Sequence, residues 1–205
     1  LCGIAVTSPL TIDKDTGDSL VFLLEKGAPV NCFGMPIAGV SGPITLAGTV
    51  AQHTAEVLAL VTAVQLHTPG TPMAYGGMSP TLNLRTGNLS MAAPAVNLLA
   101  NALTTMATYY GLPAYNPANY TDAFVPDVQC GVEKAMSAIA GMAAGSAVGM
   151  FGGDIHDAMT VSYEQLLIDY DIWEIVSRFL AGIQVNSETL AQEAIERIGH
   201  TGDML

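Results

Sequence analysis

Apolar residues fall into short continuous runs alternating with longer stretches in which they recur every three or four positions. The short runs, at 1–7, 29–39, 72–77, 112–115 and 146–153, are bounded by Gly, Pro, Ser or Asn and lack polar alternation. That is the pattern of strands buried on both faces of a parallel sheet. Between them the spacing predicts helices over 16–26, with Thr16 as cap and Gly27 as stop, and over 46–67, ended by Pro69-Gly70. A third runs over 94–111, opened by Pro94 with Val96, Leu99, Leu103 and Met106 on one side. Two more follow the last strand: 162–180, which holds Trp173, and one beginning at Asn186 or Ser187 and ending at Gly199.

The stretch 121–134 concentrates the most chemistry. Two carboxylates, Tyr120 and Phe124, and a proline lead into a helix. Pro126 suits the first helical position, and Asp127 follows where the positive end of the dipole favours an anion. Val128, Val132, Ala135, Ile139 and Met142 then form one apolar stripe, expected to face the core.

Strand and helix alternate at roughly 30 or more residues per unit, the length of a βαβ motif. Two architectures fit. One is a five-stranded doubly wound parallel sheet. The other is a (β/α)8 TIM barrel, which needs about 250 residues, so that this chain would hold about five of its eight β/α units. Leu1 opens inside an apolar run, which favours a piece of a longer protein and therefore the barrel. Residues 1–205 are accordingly expected to form the C-terminal part of a single TIM-barrel domain. In either fold, function belongs to the loops at the carboxyl ends of the strands.

Composition narrows the options. Six basic residues against 18 acidic ones give a net charge of −12, which argues against nucleic-acid binding. Such acidity mildly favours a cationic ligand. Cys2, Cys32 and Cys130 are widely spaced in apolar surroundings and read as reduced thiols of a cytoplasmic protein. The uncharged run 135–153 is rich in Ala, Gly and Ser and ends in Gly152-Gly153-Asp154, a poor membrane span, so no membrane partner is expected.

The strand-end loops collect Tyr75, Tyr115, Tyr120 and Phe151, an aromatic set able to cage a quaternary ammonium with Asp122 as charge partner. Each ring could equally pack beneath a loop. Gly76-Gly77 and Gly152-Gly153 allow close approach of a ligand or phosphate, yet neither extends into a phosphate-binding motif. Asp154, His156 and Asp157 are too few for a zinc site without partner ligands, and no metal is expected. No nucleophile elbow or triad is visible.

Several motifs in consistent order resemble the trimethylamine methyltransferase family of corrinoid-dependent methyltransferases. They begin with Ser8-Pro9-Leu10-Thr11-Ile12-Asp13, Met35-Pro36-Ile37-Ala38-Gly39, Pro43-Ile44-Thr45-Leu46-Ala47-Gly48-Thr49 and Glu56-Val57-Leu58. Tyr75-Gly76-Gly77, Arg85-Thr86-Gly87 and Tyr109-Tyr110-Gly111-Leu112-Pro113 come next. Thr121-Asp122, Val125-Pro126-Asp127-Val128-Gln129 and Ser162-Tyr163-Glu164-Gln165-Leu166 complete the set. The resemblance implies a (β/α)8 barrel that moves a methyl group from a methylated amine to the Co(I) corrinoid (cobalamin) of a separate corrinoid-binding protein, with no cofactor bound directly. A homo-oligomer is compatible with it.

Family members acting on trimethylamine contain pyrrolysine, and the resemblance puts that position at or beside Phe124. An ordinary aromatic there implies a relative that uses a quaternary amine such as glycine betaine, whose nitrogen already leaves as a neutral amine. On that basis Asp122 and Phe124 are the candidate catalytic residues, and Tyr75, Tyr115, Tyr120 and Phe151 the candidate substrate-binding ones. Gly76, Gly77, Gly152 and Gly153 are the backbone positions expected to approach a cofactor. The alternatives are an aldolase- or synthase-like barrel acting on a phosphorylated metabolite, for which Arg85 and the glycine pairs speak, and a non-catalytic fragment of the same fold.

Overall fold

A computed structural model describes residues 1–116, 118–146, 152–200 and 202. Four parallel strands form the main sheet: β1 (Cys2–Ala5), β2 (Val30–Gly34), β3 (Met73–Gly77) and, after a short hairpin, the strand Ala114–Tyr115. The hairpin strands are β4 (Thr81–Leu82) and β5 (Leu89–Ser90), which makes Ala114–Tyr115 β6. The sheet runs β1-β2-β3-β6 with Cys2 beside Val30, Val30 beside Met73, and Gly76 between Phe33 and Tyr115.

Crossovers are made by α1 (Lys14–Glu25), α2 (Leu46–His67) and α3 (Pro94–Tyr109). The Asp13 side chain caps α1 by accepting from Thr16 N at 2.8 Å, one turn ahead of the expected Thr16 cap. All three helices cover one side of the sheet. Leu20 and Leu24 of α1, Val57, Leu60 and Val64 of α2, and Leu103 and Ala107 of α3 form a single core with Ile4, Val6, Val30, Cys32, Tyr75 and Ala114. Strand alternation then sends Gly3, Asn31, Phe33, Gly76 and Tyr115 to the opposite side. A doubly wound sheet reverses its strand order at a switch point. The four described strands instead follow chain order, and three crossover helices share one face.

Beyond β6 lie α4 (Val128–Ala143), a second hairpin of β7 (Asp154–Ile155) and β8 (Thr160–Val161), then α5 (Tyr163–Ala181) and α6 (Gln192–Ile198). The strand expected at 146–153 falls largely on 147–151, outside the described residues, as does Phe151. Ser162 caps α5 by accepting from Gln165 N. Asn186 caps only a turn, accepting from Glu188 N and Thr189 N, and α6 begins later than its cap-like sequence predicts.

Helix α4 departs most from expectation. Asp127 is its N-cap, accepting from Cys130 N at 3.0 Å, so Pro126 precedes the helix. The apolar stripe is turned outward: Val128 is 84% and Val132 60% exposed. The buried side carries Cys130, Lys134, Ser137, Ala138 and Gly141. Lys134 decides this orientation. Its ammonium, fully buried, donates to Asp169 at 2.9 Å, Asp154 at 3.2 Å and the Asn119 carbonyl at 2.9 Å. Among the described residues, no helix is long and apolar enough to cross a membrane.

Candidate functional site

A cavity of about 260 Å³ lies on the sheet side away from the helices, running from Leu1, Gly3 and Asn31 at the amino halves of β1 and β2 to the carboxyl ends of β2, β3 and β6. Its floor is made of Gly3, Gly76 and Gly77, and its walls of Asn31, Phe33, Met78, Tyr115 and Tyr120, with Leu1 at the edge. None of these side chains carries a charge. Tyr120 is 4% exposed, and burial first, then Asp154, pushes its phenol above the usual range, so it stays a neutral hydroxyl.

Glycine at position 76 is a steric requirement. A Cβ there would stand 2.6 Å from Asn31 Oδ1 and 2.7 Å from Phe33 Cβ. Gly77 is similarly confined by Asn116 Oδ1 and the Leu103 side chain. Both glycines serve close packing, Gly76 against Asn31 and Phe33 on the cavity side and Gly77 against Leu103 of α3 and Asn116.

Carboxylates near the strand ends are spoken for by backbone and hydroxyl groups. Glu56 of α2, 1% exposed, accepts from Ser8 Oγ at 2.8 Å and Leu10 N at 3.0 Å, tying the loop after β1 to the helix. Asp122 accepts from Ser90 Oγ, from Met91 N at 2.7 Å and from Ala92 N at 3.0 Å, tying the segment after β6 to the entry of α3. Glu133 accepts from Thr121 Oγ1 at 2.7 Å and Asp122 N at 2.9 Å. The turn between β7 and β8 completes the clamp, with His156 N donating to the Ala123 carbonyl and Asp157 N to that of Thr121. Asp157 is pushed up to about 7, by burial first and then by Asp122 and Glu133.

Against this geometry stand the comparisons with known proteins. A family model described as trimethylamine methyltransferase matches residues 1–205. The chain belongs to the trimethylamine methyltransferase family. It is 38% identical over 193 residues to trimethylamine methyltransferase MttB1 of Methanosarcina acetivorans, covering 94% of this chain and 39% of that protein. Trimethylamine methyltransferase MttB of Desulfitobacterium hafniense is 28% identical over 204 residues, with 100% of this chain and 41% of the relative covered. A glycine betaine methyltransferase of Desulfitobacterium hafniense is 31% identical over 199 residues, 97% and 42% covered. The chain thus spans about two fifths of the length of these curated relatives.

In this member of the trimethylamine methyltransferase family the sequence-predicted residues within the described part of the chain divide into four places. Tyr115, Tyr120, Gly76 and Gly77 come together at the cavity. Tyr75 lies on the other side of its strand, in the core. Its hydroxyl meets His53 Nδ1 at 3.2 Å and Thr54 Oγ1 at 3.0 Å. Burial pushes Tyr75 up to about 12 and His53 down to about 4. Asp122 and Phe124 sit together on the loop after β6, apart from the cavity lining. Phe124 is 65% exposed and stacks on His156 with ring centroids 4.1 Å apart.

Gly152 and Gly153 pack against α5. A Cβ on Gly152 would stand 2.7 Å from Leu166 Cδ1, and Gly153 N donates to Asp169 at 2.7 Å. Gly153 also has φ +83°, which favours glycine. Arg85 is exposed on the β4–β5 turn. Asp154 is engaged with Lys134, and among the described residues no group of three His, Cys, Asp or Glu side chains could hold a metal. Burial pushes the Cys32 thiol up to about 12 and raises that of Cys130, whose Sγ donates to Gln165 Oε1.

Sequence reasoning missed Asn31 and Phe33. The available signal was Asn31 itself, one amide in the middle of the apolar strand Val30–Gly34.

Proposed function

We propose that this chain forms about five units of a (β/α)8 barrel whose complete form moves a methyl group from a quaternary amine such as glycine betaine to the Co(I) corrinoid of a separate small protein. Strands in chain order with crossover helices on one face are what such an arc of barrel requires. The observation that carries the substrate class is the aromatic-walled cavity without charged side chains that reaches the strand carboxyl ends at Gly77 and Tyr115.

The chemistry fits that lining. A quaternary nitrogen departs as a neutral amine, so the donor needs no proton from the enzyme. What it needs is removal of water from the cation and alignment of one methyl group toward its acceptor. The ring faces of Tyr115, Tyr120 and Phe33 attract an ammonium, by about 2 kcal/mol for a well-placed desolvated ring. Gly76 lets Asn31 and Phe33 pack close against the sheet, which keeps the floor beneath it low. A corrin ring is far too wide for about 260 Å³, so the residues present fit the methyl donor, with the acceptor meeting it at the mouth.

Asp122 and Phe124 act in this reading at the rim. Asp122 holds the mouth loop in place, and Phe124 presents an exposed ring where the partner protein approaches. The glycine betaine methyltransferase relative supports the quaternary donor. The deciding assay combines the full-length protein, a Co(I) corrinoid protein and a panel of methylated amines. Corrinoid methylation, followed by its visible spectrum, is expected with a quaternary amine; its absence with every quaternary amine tested contradicts the proposal.

A further inference from the structure

Asn31 is the one carboxamide in the cavity lining, and its surroundings are unusual for a buried amide. It is 6% exposed, and its Oδ1 has no hydrogen-bond partner among the described residues. Leaving a buried polar group unpaired costs about 1–3 kcal/mol, which a valine or leucine at the same place in this strand would avoid. The side chain is also held in a prepared position. It lies flat over Gly76, where any Cβ would stand 2.6 Å from Oδ1 and 2.8 Å from Nδ2, and Phe33 flanks it on the same face. A carboxamide whose acceptor is unpaired, in the lining of a ligand-sized cavity, has an oxygen to turn toward a ligand.

We infer that Asn31 is the residue by which this cavity distinguishes a cationic head from a neutral one of the same shape. The inference rests on the proposed reading of the cavity as the seat of a methylated ammonium. In a quaternary ammonium the positive charge is spread over the N-methyl hydrogens, which make C–H···O contacts with a carbonyl oxygen. Tyr115 and Tyr120 attract the same charge through their ring faces, which leaves the amide oxygen to fix its orientation. A carboxamide can turn its oxygen or its NH2 toward the ligand by rotating its last bond, and a cation selects the oxygen. A neutral carbon head gains nothing from either.

The test titrates the full-length protein by calorimetry with choline and with 3,3-dimethyl-1-butanol, its uncharged carbon isostere. Wild type is expected to prefer choline. Asn31→Leu should lose about twofold to fivefold in choline affinity, the worth of a C–H···O contact, while the isostere binds as before. Asn31→Asp, of the same shape, should raise the preference for choline. A purely structural role would weaken both ligands together, so the ratio is the readout. An unchanged ratio in Asn31→Leu overturns the inference, and if that variant does not fold, an unchanged ratio in Asn31→Asp does so. If the wild type binds choline no better than its isostere or not at all, the reading of the cavity as an ammonium seat falls, and the role of Asn31 with it.

Discussion

Two regions at the same end of the sheet divide the work differently. The cavity over Gly76 is lined by rings, glycines, Leu1, a methionine and one amide, without a charged side chain. The loop region beside it, from Thr121 to Asp169, is dense in ionised groups, and nearly all of them hold polypeptide. Asp122 grips the Ser90–Ala92 backbone, Glu133 grips Thr121 and Asp122, and Lys134 joins Asp154 to Asp169. The difference teaches where an acidic chain places its charge. Carboxylates fix the loops and the cavity is left without charged side chains, so that in the proposed reading a cation entering it would meet polarisable rings rather than a competing salt bridge.

The comparison breaks most visibly at Lys134. Lys134→Met leaves Asp154 and Asp169 buried without their cation and should cost about 3–5 kcal/mol, read by chemical denaturation. Removal of a loop grip is expected to cost less. Asp122→Ala strands two backbone N–H groups and the Ser90 hydroxyl, and should lower stability by about 1–3 kcal/mol. The same substitution should slow methyl transfer while leaving choline affinity nearly unchanged, because Asp122 does not line the cavity. Tyr115→Leu should show the reverse pattern, with choline binding weakened about fivefold to tenfold and denaturation little altered.

The pH slopes separate the two regions by sign rather than by size, and they should run in opposite directions. His53, behind the cavity, holds its proton only below about 4, against an ordinary value of 6.5. Between those values the unfolded chain binds the extra proton, so its contribution to stability is lost as pH falls from about 6.5 to about 4. Asp157, in the acidic loops, keeps its proton up to about 7, against an ordinary 3.8. There the folded chain binds the extra proton, and stability declines as pH rises from about 4 to about 7. His53→Gln should remove the acid-side slope and Asp157→Asn the other, in denaturation midpoints measured across that range. Solvent reaches Asp157 and screens it, so its slope is the shallower.

Much of the fold could be read in the chain because local chemistry and tertiary packing agree there. The spacing over 46–67 matches α2 to the residue, and Pro94 opens α3 as expected. The outward stripe of α4 was not legible. Its apolar periodicity is genuine, but the orientation is set by Lys134 meeting Asp154 and Asp169, 20 and 35 residues away, and no local pattern announces that pairing. The candidate site shows the same split. Tyr115, Tyr120 and the Gly76-Gly77 pair were visible as strand-end residues, whereas Tyr75, one position earlier than Gly76, faces the core because side chains alternate along a strand. Asn31 escaped notice because an amide in mid-strand has no motif around it. Its meaning appears only when Gly76 of the next strand is laid beside it.

The most direct test is a crystal structure of the full-length protein soaked with a quaternary ammonium such as glycine betaine. Density for the ammonium head against Tyr115, Tyr120 and Asn31 is the expected result. An ammonium seated instead on Asp122 and Phe124, with the cavity over Gly76 filled by water alone, would contradict it.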